Sequence, residues 1–240
     1  MIEQTPVLRL EDIVKTFPGV RALDGVSLSI LPGEVHALMG ENGAGKSTLM
    51  KVLGGIHQPD EGQIVVDEKP VVMSGPLDAK AKGIVFIHQE LSLADELSVA
   101  ENIYLGELPR KRFGLVDWAE LEAKTNAILE KLKVSFNAKT RVGDLSIANQ
   151  QMVEIARALT VDAKAVIFDE PTASLTDAEK VVLFEVISDL QKQGVGIAYI
   201  SHRMEEIFKI TDRISVLRDG QYQGTVNTTE TNEEGVTQMM

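Results

Sequence analysis

A glycine-rich segment at residues 40–47 has the residue types and spacing that bind a phosphate chain. It reads Gly-Glu-Asn-Gly-Ala-Gly-Lys-Ser and fits the pattern G-x-x-x-x-G-K-[ST]. Glycines let the backbone curl so that successive N–H groups point at an anion, and the N-terminus of a following helix adds its positive dipole. The segment therefore predicts a nucleotide-phosphate site. Its candidate residues are Gly40, Asn42, Gly43, Gly45, Lys46, Ser47 and the following Thr48.

Three residues at the end of this segment have distinct expected roles. Lys46 should reach the β- and γ-phosphates, and Ser47 should offer its hydroxyl to Mg²⁺. Thr48 should lie near the α-phosphate. A chance glycine turn is the alternative, but a buried strand is expected before the segment and a helix after it. Those flanks favour the phosphate site.

Two adjacent carboxylates, Asp169 and Glu170, follow the apolar stretch 165–168. In a phosphoryl-transfer site the first carboxylate holds Mg²⁺, usually through water, and the next orients or deprotonates the attacking water. Adjacent carboxylates repel each other unless a cation compensates them, so a metal accounts for the pair. Alone, the pair also fits an ordinary acidic turn. Together with the phosphate loop, the pair predicts that the first carboxylate, Asp169, holds Mg²⁺ and that Glu170 orients or deprotonates the attacking water.

Three further side chains are candidates for the same site. His202 follows a predicted parallel strand at its carboxyl end, where such sheets bind ligands, so it is expected to contact the γ-phosphate. Gln89 ends another apolar strand, and by itself it is only a polar loop residue. Phe17 precedes a turn and either stacks on a base or covers the core. The remaining histidines are interpreted as structural: His36, His57 and His88.

The elements that must position these residues alternate between strands and helices. Apolar stretches at 35–39, 165–168 and 195–200, with a helical segment at 177–193, have βαβ rhythm and predict parallel strands with right-handed crossovers. The amino-terminal third predicts an antiparallel edge. The fold class is therefore α/β: a mainly parallel P-loop NTPase core, an antiparallel β subdomain and an inserted α-helical subdomain. One domain is expected over 1–240.

The helical subdomain is expected at about 91–160, and its clearest helix at 117–133. Asp117 and Glu120 have capping-box spacing. Apolar residues are expected on one face of that helix: Trp118, Leu121, Ile128, Leu129 and Leu132. The polar, acidic tail at 227–234 is expected to fray.

Composition excludes several classes of function. The 240 residues carry 24 Lys+Arg against 36 Asp+Glu, a net charge of −12, which argues against nucleic acid as the main partner. The absence of cysteine excludes a disulfide framework, a zinc finger, an iron–sulfur cluster and thiol catalysis. No stretch has the length and apolarity of a membrane span, and the amino terminus lacks a secretion signal. A soluble, intracellular, globular protein is expected.

Taken together, these motifs resemble the ATP-binding domain of ABC transporters. The resemblance is strongest to the N-terminal half of the ATPase subunits of bacterial sugar importers of the ribose, galactose and xylose group. It covers almost the whole chain. The segments that carry it are 17–23, 40–48, 87–91, 98–103, 151–159, 168–176 and 200–206.

The resemblance implies roles and partners. Asp169 would be the magnesium carboxylate, Glu170 the general base and His202 the γ-phosphate contact. Phe17 would stack on adenine, and Gln89 would sense Mg²⁺ and the attacking water while linking to transmembrane permease subunits. Residues 174–177 would form a loop at a dimer interface. ATP and Mg²⁺ would lie between this domain and a second nucleotide-binding domain, expected in the other half of the same polypeptide, at the cytoplasmic face of the bacterial plasma membrane. A periplasmic or extracellular sugar-binding protein would take part indirectly.

The chain departs from this family in the signature segment. The family pattern begins Leu-Ser-x-Gly-Gln, whereas residues 145–149 read Leu-Ser-Ile-Ala-Asn. Ser146 keeps its hydroxyl for the partner's nucleotide. Ala148 places a Cβ where the backbone should approach a phosphate closely, and Asn149 is one methylene shorter than glutamine. The departure predicts a weakened partner site and an intact site on this chain's own loop.

Alternative functions differ in class. The first interpretation is an ATPase that powers import of a monosaccharide such as ribose. A regulatory nucleotide-binding half-domain with little turnover is the alternative, favoured by Ala148 and Asn149 and disfavoured by Glu170. A soluble ABC protein of translation or DNA repair should show a basic face or long inserted arms, and a net charge of −12 on a chain of 240 residues argues against both. A P-loop kinase has no use for the helical insertion.

Overall fold

Residues 4–88 and 91–240 are described by a computed structural model. Within them the strands are β1 (Leu8–Phe17), β2 (Val20–Ile30), β3 (Val35–Met39), β4 (Glu61–Val66), β5 (Lys69–Val71), β6 (Ile84–Ile87), β7 (Ala165–Asp169), β8 (Gly196–Ile200), β9 (Arg213–Arg218) and β10 (Gln221–Asn227). The α-helices are α1 (Lys46–Leu53), α2 (Pro76–Ala81), α3 (Val99–Ile103), α4 (Trp118–Lys131), α5 (Ile147–Ala158), α6 (Asp177–Lys192), α7 (Met204–Ile210) and α8 (Glu233–Met239).

A six-stranded sheet has the order β10-β9-β3-β8-β7-β6. β3 pairs in parallel with β8 and β9, and β7 pairs in parallel with β8. Every residue of β3 is buried, as its continuous apolar run predicts for a central strand. The carboxyl ends of β3, β7 and β8 therefore meet at one edge, where the glycine loop, the acidic pair and His202 follow them. The predicted α/β core is confirmed.

An antiparallel sheet of four strands has the order β2-β1-β4-β5. The pairing of β1 with β2 is irregular, because its register shifts between Leu10 and Ile13 and again on both sides of Lys15. At Asp12 the backbone takes φ 50, and its N–H donates to Ser27 Oγ at 2.9 Å. Strand β5 and helix α2 were not predicted, since each has six residues or fewer and contains a proline.

Two compact units are distinguished by their internal contacts. The first comprises residues up to Phe86, Ala163–Glu170 and Ile187–Met240, and both sheets belong to it, with Ile87 at the end of β6 as the exception. It contains the large apolar core, in which β1, β2, β4 and α1 pack together with the central strands. The second comprises Ile87–Asp162 and Pro171–Val186 and is helical.

In the helical unit, capping residues fix where the helices begin. Ser98 and Glu101 form a capping box at α3, and Asp117 accepts the Glu120 N–H at the start of α4. The predicted packing of Trp118 is wrong. Its side chain is 52% exposed because it is the first residue of α4, and burial starts at Leu121.

The expectation of a frayed tail is also wrong. A 3₁₀ turn at Thr228–Glu230 and helix α8 follow β10. Thr228 Oγ1 lies 3.0 Å from Thr211 Oγ1, Asn232 caps α8 by accepting the Gly235 N–H, and Val236 is fully buried. No helix of the described residues is long and apolar enough to span a bilayer.

Candidate functional site

The phosphate loop lies between β3 and α1 and is shaped by close backbone contacts. A Cβ on Gly40 would lie 2.3 Å from the Leu217 carbonyl oxygen. A Cβ on Gly45 would lie 2.8 Å from the Ala22 carbonyl oxygen. Gly45 is also the N-cap of α1, in the left-handed conformation and without a side-chain cap. Because Gly45 has no side chain to accept from them, the first N–H groups of α1 are suited to bind an anion.

Lys46 points back over this loop. Its Nζ donates to the carbonyl oxygens of Gly40 at 2.7 Å and Glu41 at 3.0 Å. Partial burial lowers the pKa of Lys46 below its ordinary value, and the nearby carboxylates of Glu170 and Asp169 act in the opposite direction. The structure therefore brings the lysine and the acidic pair into one electrostatic environment. Ser47 is exposed at the start of α1, and Thr48 is half-buried.

The acidic pair lies where β7 ends. Asp169 is the last residue of β7 and pairs with Ile200 of β8. Glu170 adopts φ 47, an uncommon conformation for a non-glycine residue, and its N–H donates to the Ile200 carbonyl at 2.9 Å. This bond continues the pairing with β8 one residue beyond the strand. Local strain of this kind is typical of functional sites.

His202 contacts the second carboxylate of the pair. Its Nδ1 lies 3.0 Å from Glu170 Oε1. The Glu170 side chain is 22% exposed and that of His202 65% exposed, so the pair is open to solvent on the histidine side. The structure thus brings together Lys46, Asp169, Glu170 and His202, which sequence reasoning had placed on three separate loops.

Two buried residues close to His202 in the sequence, Tyr199 and Glu206, were not among the predicted site residues. Tyr199 Oη donates to Glu206 Oε2 at 2.9 Å, linking the end of β8 to the first turn of α7. The Ser201 hydroxyl accepts the Arg203 N–H at 3.0 Å. These bonds fix the turn that carries His202. The sequence offers no signal for them, since nothing in it distinguishes the buried Glu206 from its exposed neighbour Glu205.

Phe17 ends β1 and is half-buried. Its ring meets the imidazole of His57 edge to face, with centroids 5.1 Å apart. Lys15 Nζ lies 5.7 Å from the same ring and pairs with Asp60 at 2.7 Å. Phe17 is therefore supported on one side by His57, which has a packing role, and the prediction that it stacks on a base remains a prediction.

The remaining predicted residues are placed as follows. Gln89 lies outside the described residues. In the helical unit, Ser146 is the exposed N-cap of α5, and its Oγ accepts the Asn149 N–H at 3.3 Å. Ser47 and Asp169 are the magnesium candidates in the first unit. Within residues 4–88 and 91–240, no group of three or more histidine or acidic side chains could hold a metal alone.

Comparison with known proteins finds a family and several import proteins to which this chain is similar. Residues 23–173 match the family described as ABC transporter. A ribose import ATP-binding protein of Jannaschia sp. is 52% identical over 98% of this chain and 46% of its own length. A putative ribose/galactose/methyl galactoside import ATP-binding protein of Burkholderia cenocepacia is 50% identical over 98% of this chain and 45% of its own.

Among solved structures, an ATP-binding cassette of an ABC transporter in its ADP conformation superposes with a TM-score of 0.82. It is 31% identical and covers 98% of this chain and 94% of its own. The chain spans about half the length of the curated import proteins that it matches.

Proposed function

This chain belongs to the ABC transporter family, and we propose that it is the ATP-binding domain of a sugar importer that hydrolyses Mg-ATP. The observation that carries this proposal is the contact of 3.0 Å between His202 and Glu170, in the environment shared with Lys46. A phosphate-binding loop, a carboxylate and a histidine meet where parallel strands end, which is the usual ligand edge of such sheets.

Different residues of the first unit bind the nucleotide, accept the proton and orient the base. Backbone N–H groups of the loop and the ammonium of Lys46 bind the phosphates, and Lys46 exchanges its carbonyl partners for phosphate oxygens. Glu170 accepts a proton from the attacking water at a carboxylate oxygen. His202 orients that carboxylate through Oε1 and contacts the γ-phosphate. Phe17 stacks on the adenine.

The side chains fit a magnesium ion that accompanies the nucleotide. Mg²⁺ usually keeps several waters and binds through one or two carboxylates together with phosphate oxygens. Ser47 and Asp169 supply one hydroxyl and one carboxylate, and Gln89 is proposed as a further ligand. When bound, the ion neutralises charge that develops on the phosphate oxygens.

We place the complete catalytic site at the interface of two such domains. Ser146 and the exposed start of α5 would complete the partner's nucleotide site. Ala148 and Asn149 weaken that contribution, because a Cβ stands where the family has a glycine. The two sites would then be unequal, with this chain supplying the competent lysine, carboxylates and histidine. The partner is the second nucleotide-binding domain expected in the rest of the polypeptide.

The transported substrate is proposed to be a monosaccharide such as ribose. Support comes from the names of the import proteins that match nearly the whole chain at 50% and 52% identity. The domain would act as a peripheral protein at the cytoplasmic face, bound to permease subunits, with a sugar-binding protein on the other side. Stimulation of ATP hydrolysis by ribose-loaded binding protein, in membranes that contain the permease, tests this assignment.

A regulatory half-domain with little turnover is the second candidate. The observation that favours it is Ala148 near the start of α5, since two copies of this chain would both lack the signature glycine. Glu170 disfavours it, because a purely regulatory site needs no base beside its phosphate loop.

Steady-state Mg-ATP hydrolysis across a wide range of protein concentration separates these functions. Turnover that rises faster than linearly supports closure of two copies, and A148G/N149Q should raise it further. ATP binding without turnover, rescued by the second half of the polypeptide, supports the composite site. Turnover strictly proportional to concentration, and unchanged in A148G/N149Q, would contradict the composite site.

A further inference from the structure

Residues 110–116 of the helical unit form a small hairpin, which we name the basic hairpin. Arg110 and Val116 make an antiparallel bridge. The Lys111 N–H donates to the Leu115 carbonyl at 2.7 Å, and the Gly114 N–H donates to the Lys111 carbonyl at 3.1 Å. The turn lies between α3 and α4 and has no role in the nucleotide chemistry proposed above.

The tip of the basic hairpin exposes large apolar side chains. Phe113 is 92% exposed and Leu115 69% exposed, and the half-exposed Trp118 follows at the start of α4. The ring of Phe113 meets the guanidinium of Arg112 at 5.8 Å. Single exposed apolar residues are common, but three within six residues indicate a surface that binds something apolar.

The backbone at the tip is strained in a way that packing does not explain. Phe113 adopts φ 76 at the third position of the turn, where glycine or asparagine is the usual residue. A bulky residue with positive φ is a genuine outlier. The ring of Phe113 is almost wholly exposed, so no packing of that side chain compensates the backbone strain. Strain of this kind is typical of functional sites.

The charge of the basic hairpin is opposite to that of the whole chain. Arg110, Lys111 and Arg112 are consecutive cations. Asp117 lies 3.6 Å from Lys111 Nζ and is the one acidic residue in 110–118, so this stretch carries 3 − 1 = +2 against −12 for the chain. An anionic surface would attract this hairpin and repel most of the remaining protein, which would fix the orientation of approach.

We propose that the basic hairpin docks the domain on an anionic lipid bilayer. Cations next to exposed aromatic and aliphatic side chains match the chemistry of the membrane interface, where basic groups meet anionic headgroups and aromatic rings lie at headgroup level. Phe113 and Leu115 stand on an exposed turn, which suits insertion between headgroups better than recognition of a folded partner. The interaction goes beyond ATP hydrolysis and does not depend on it.

Vesicle binding of the whole chain tests this proposal. Trp118 is the single tryptophan and adjoins the hairpin, so its emission should shift to the blue when the protein binds. Vesicles of 70:30 phosphatidylcholine and phosphatidylglycerol should float the protein at low salt, and pure phosphatidylcholine should not. High salt should release it, since screening weakens attraction between exposed charges.

Variants separate the two components of binding. Phe113→Gly suits the left-handed backbone, so it should keep the fold and weaken binding by about tenfold. K111Q/R112Q should weaken binding by roughly 25-fold, since each cation near such a surface contributes about fivefold. Matched controls lie outside the hairpin. Leu77→Ser removes an apolar side chain that is 84% exposed, and K69Q/K131Q removes the same number of positive charges.

Three outcomes would overturn the proposal. The first is no binding of the wild-type chain to anionic vesicles, and the second is equal weakening in the hairpin variants and the controls. The third is unchanged vesicle binding by the hairpin variants together with loss of sugar uptake in cells. That result would assign the hairpin to a protein partner instead of lipid.

Discussion

His202 Nδ1 lies 3.0 Å from Glu170 Oε1, and the two residues reach this position from neighbouring parallel strands. Glu170 extends the pairing of β7 with β8 through its own N–H, while His202 stands two residues after β8 ends. The contact therefore depends on the register of two central strands. It places a carboxylate next to a histidine at the edge of the sheet that carries the phosphate loop.

Removing the histidine should impair hydrolysis more than ADP binding. In His202→Ala the Glu170 carboxylate loses a hydrogen bond that orients it, and turnover should fall about 10- to 100-fold. ATP affinity should weaken while ADP affinity is unchanged, because only ATP has the γ-phosphate. Phosphate release and the two dissociation constants check this, with Glu205→Ala on α7 as the control. Equal weakening for ATP and ADP would contradict the γ-phosphate contact.

Removing the charge of Lys46 should weaken nucleotide binding. Lys46→Gln keeps a side chain that can reach the loop carbonyls but loses the charge-assisted bonds to phosphate, so ATP should bind about 10- to 100-fold more weakly. Titration with a fluorescent ATP analogue measures the change. Lys51→Gln removes an exposed charge from the same helix and should have no such effect. An unchanged dissociation constant for Lys46→Gln would place the phosphates elsewhere.

Gly40 should tolerate no side chain, for a steric reason that can be separated from backbone strain. Gly40→Ala puts a Cβ 2.3 Å from the Leu217 carbonyl oxygen and 2.9 Å from the Ala44 Cβ. Gly43→Ala shares the positive φ, but its Cβ would meet nothing within 4 Å. Both variants should lose stability, and the free energy of unfolding in urea should be about 1–3 kcal/mol lower for Gly40→Ala than for Gly43→Ala. Equal losses would mean that strain alone decides.

A buried ion pair should give the domain a defined acid sensitivity. Burial would raise the pKa of Glu34, but hydrogen bonds from His36 and Arg213 and the charge of His36 hold it at about 2, below the ordinary 4.5. Arg213 contacts both carboxylate oxygens, at 2.5 and 3.0 Å. Because the pKa of Glu34 is lower in the folded protein than in the unfolded chain, its carboxylate stabilises the folded state fully above pH 4.5. This stabilisation is lost as the pH falls towards 2.

Glu34→Gln tests this acid sensitivity. The variant should lower the free energy of unfolding by about 3 kcal/mol at pH 7 and flatten its fall between pH 4.5 and 2. Urea unfolding at pH 7, 4.5 and 3 measures both effects. Glu11→Gln, which breaks an exposed pair with Arg9, should cost under about 1 kcal/mol. A pH profile of Glu34→Gln parallel to that of the wild type would contradict the assignment.

The parts of this structure that could be predicted are those with local signals. The loop was predicted from the glycine pattern at 40–47, and β3 and β7 from the apolar runs before Gly40 and Asp169. Glycine turns and buried strands can be recognised from a few consecutive residues. The Glu34, His36 and Arg213 cluster could not be predicted, since Arg213 lies 179 residues from Glu34 and only the fold joins them. α8 was not predicted because Val236 is its one buried residue, so its sequence has no apolar periodicity.

The most direct test of the central claim is single-site removal of the proposed base in the presence of Mg-ATP. In Glu170→Gln the carboxylate that accepts the proton becomes an amide of the same shape, so turnover should fall about 10²- to 10⁴-fold. Mg-ATP should still bind within about threefold of the wild-type affinity, because the loop and Lys46 are untouched. Glu205→Gln serves as the control. Turnover of Glu170→Gln equal to that of the wild type would contradict the account.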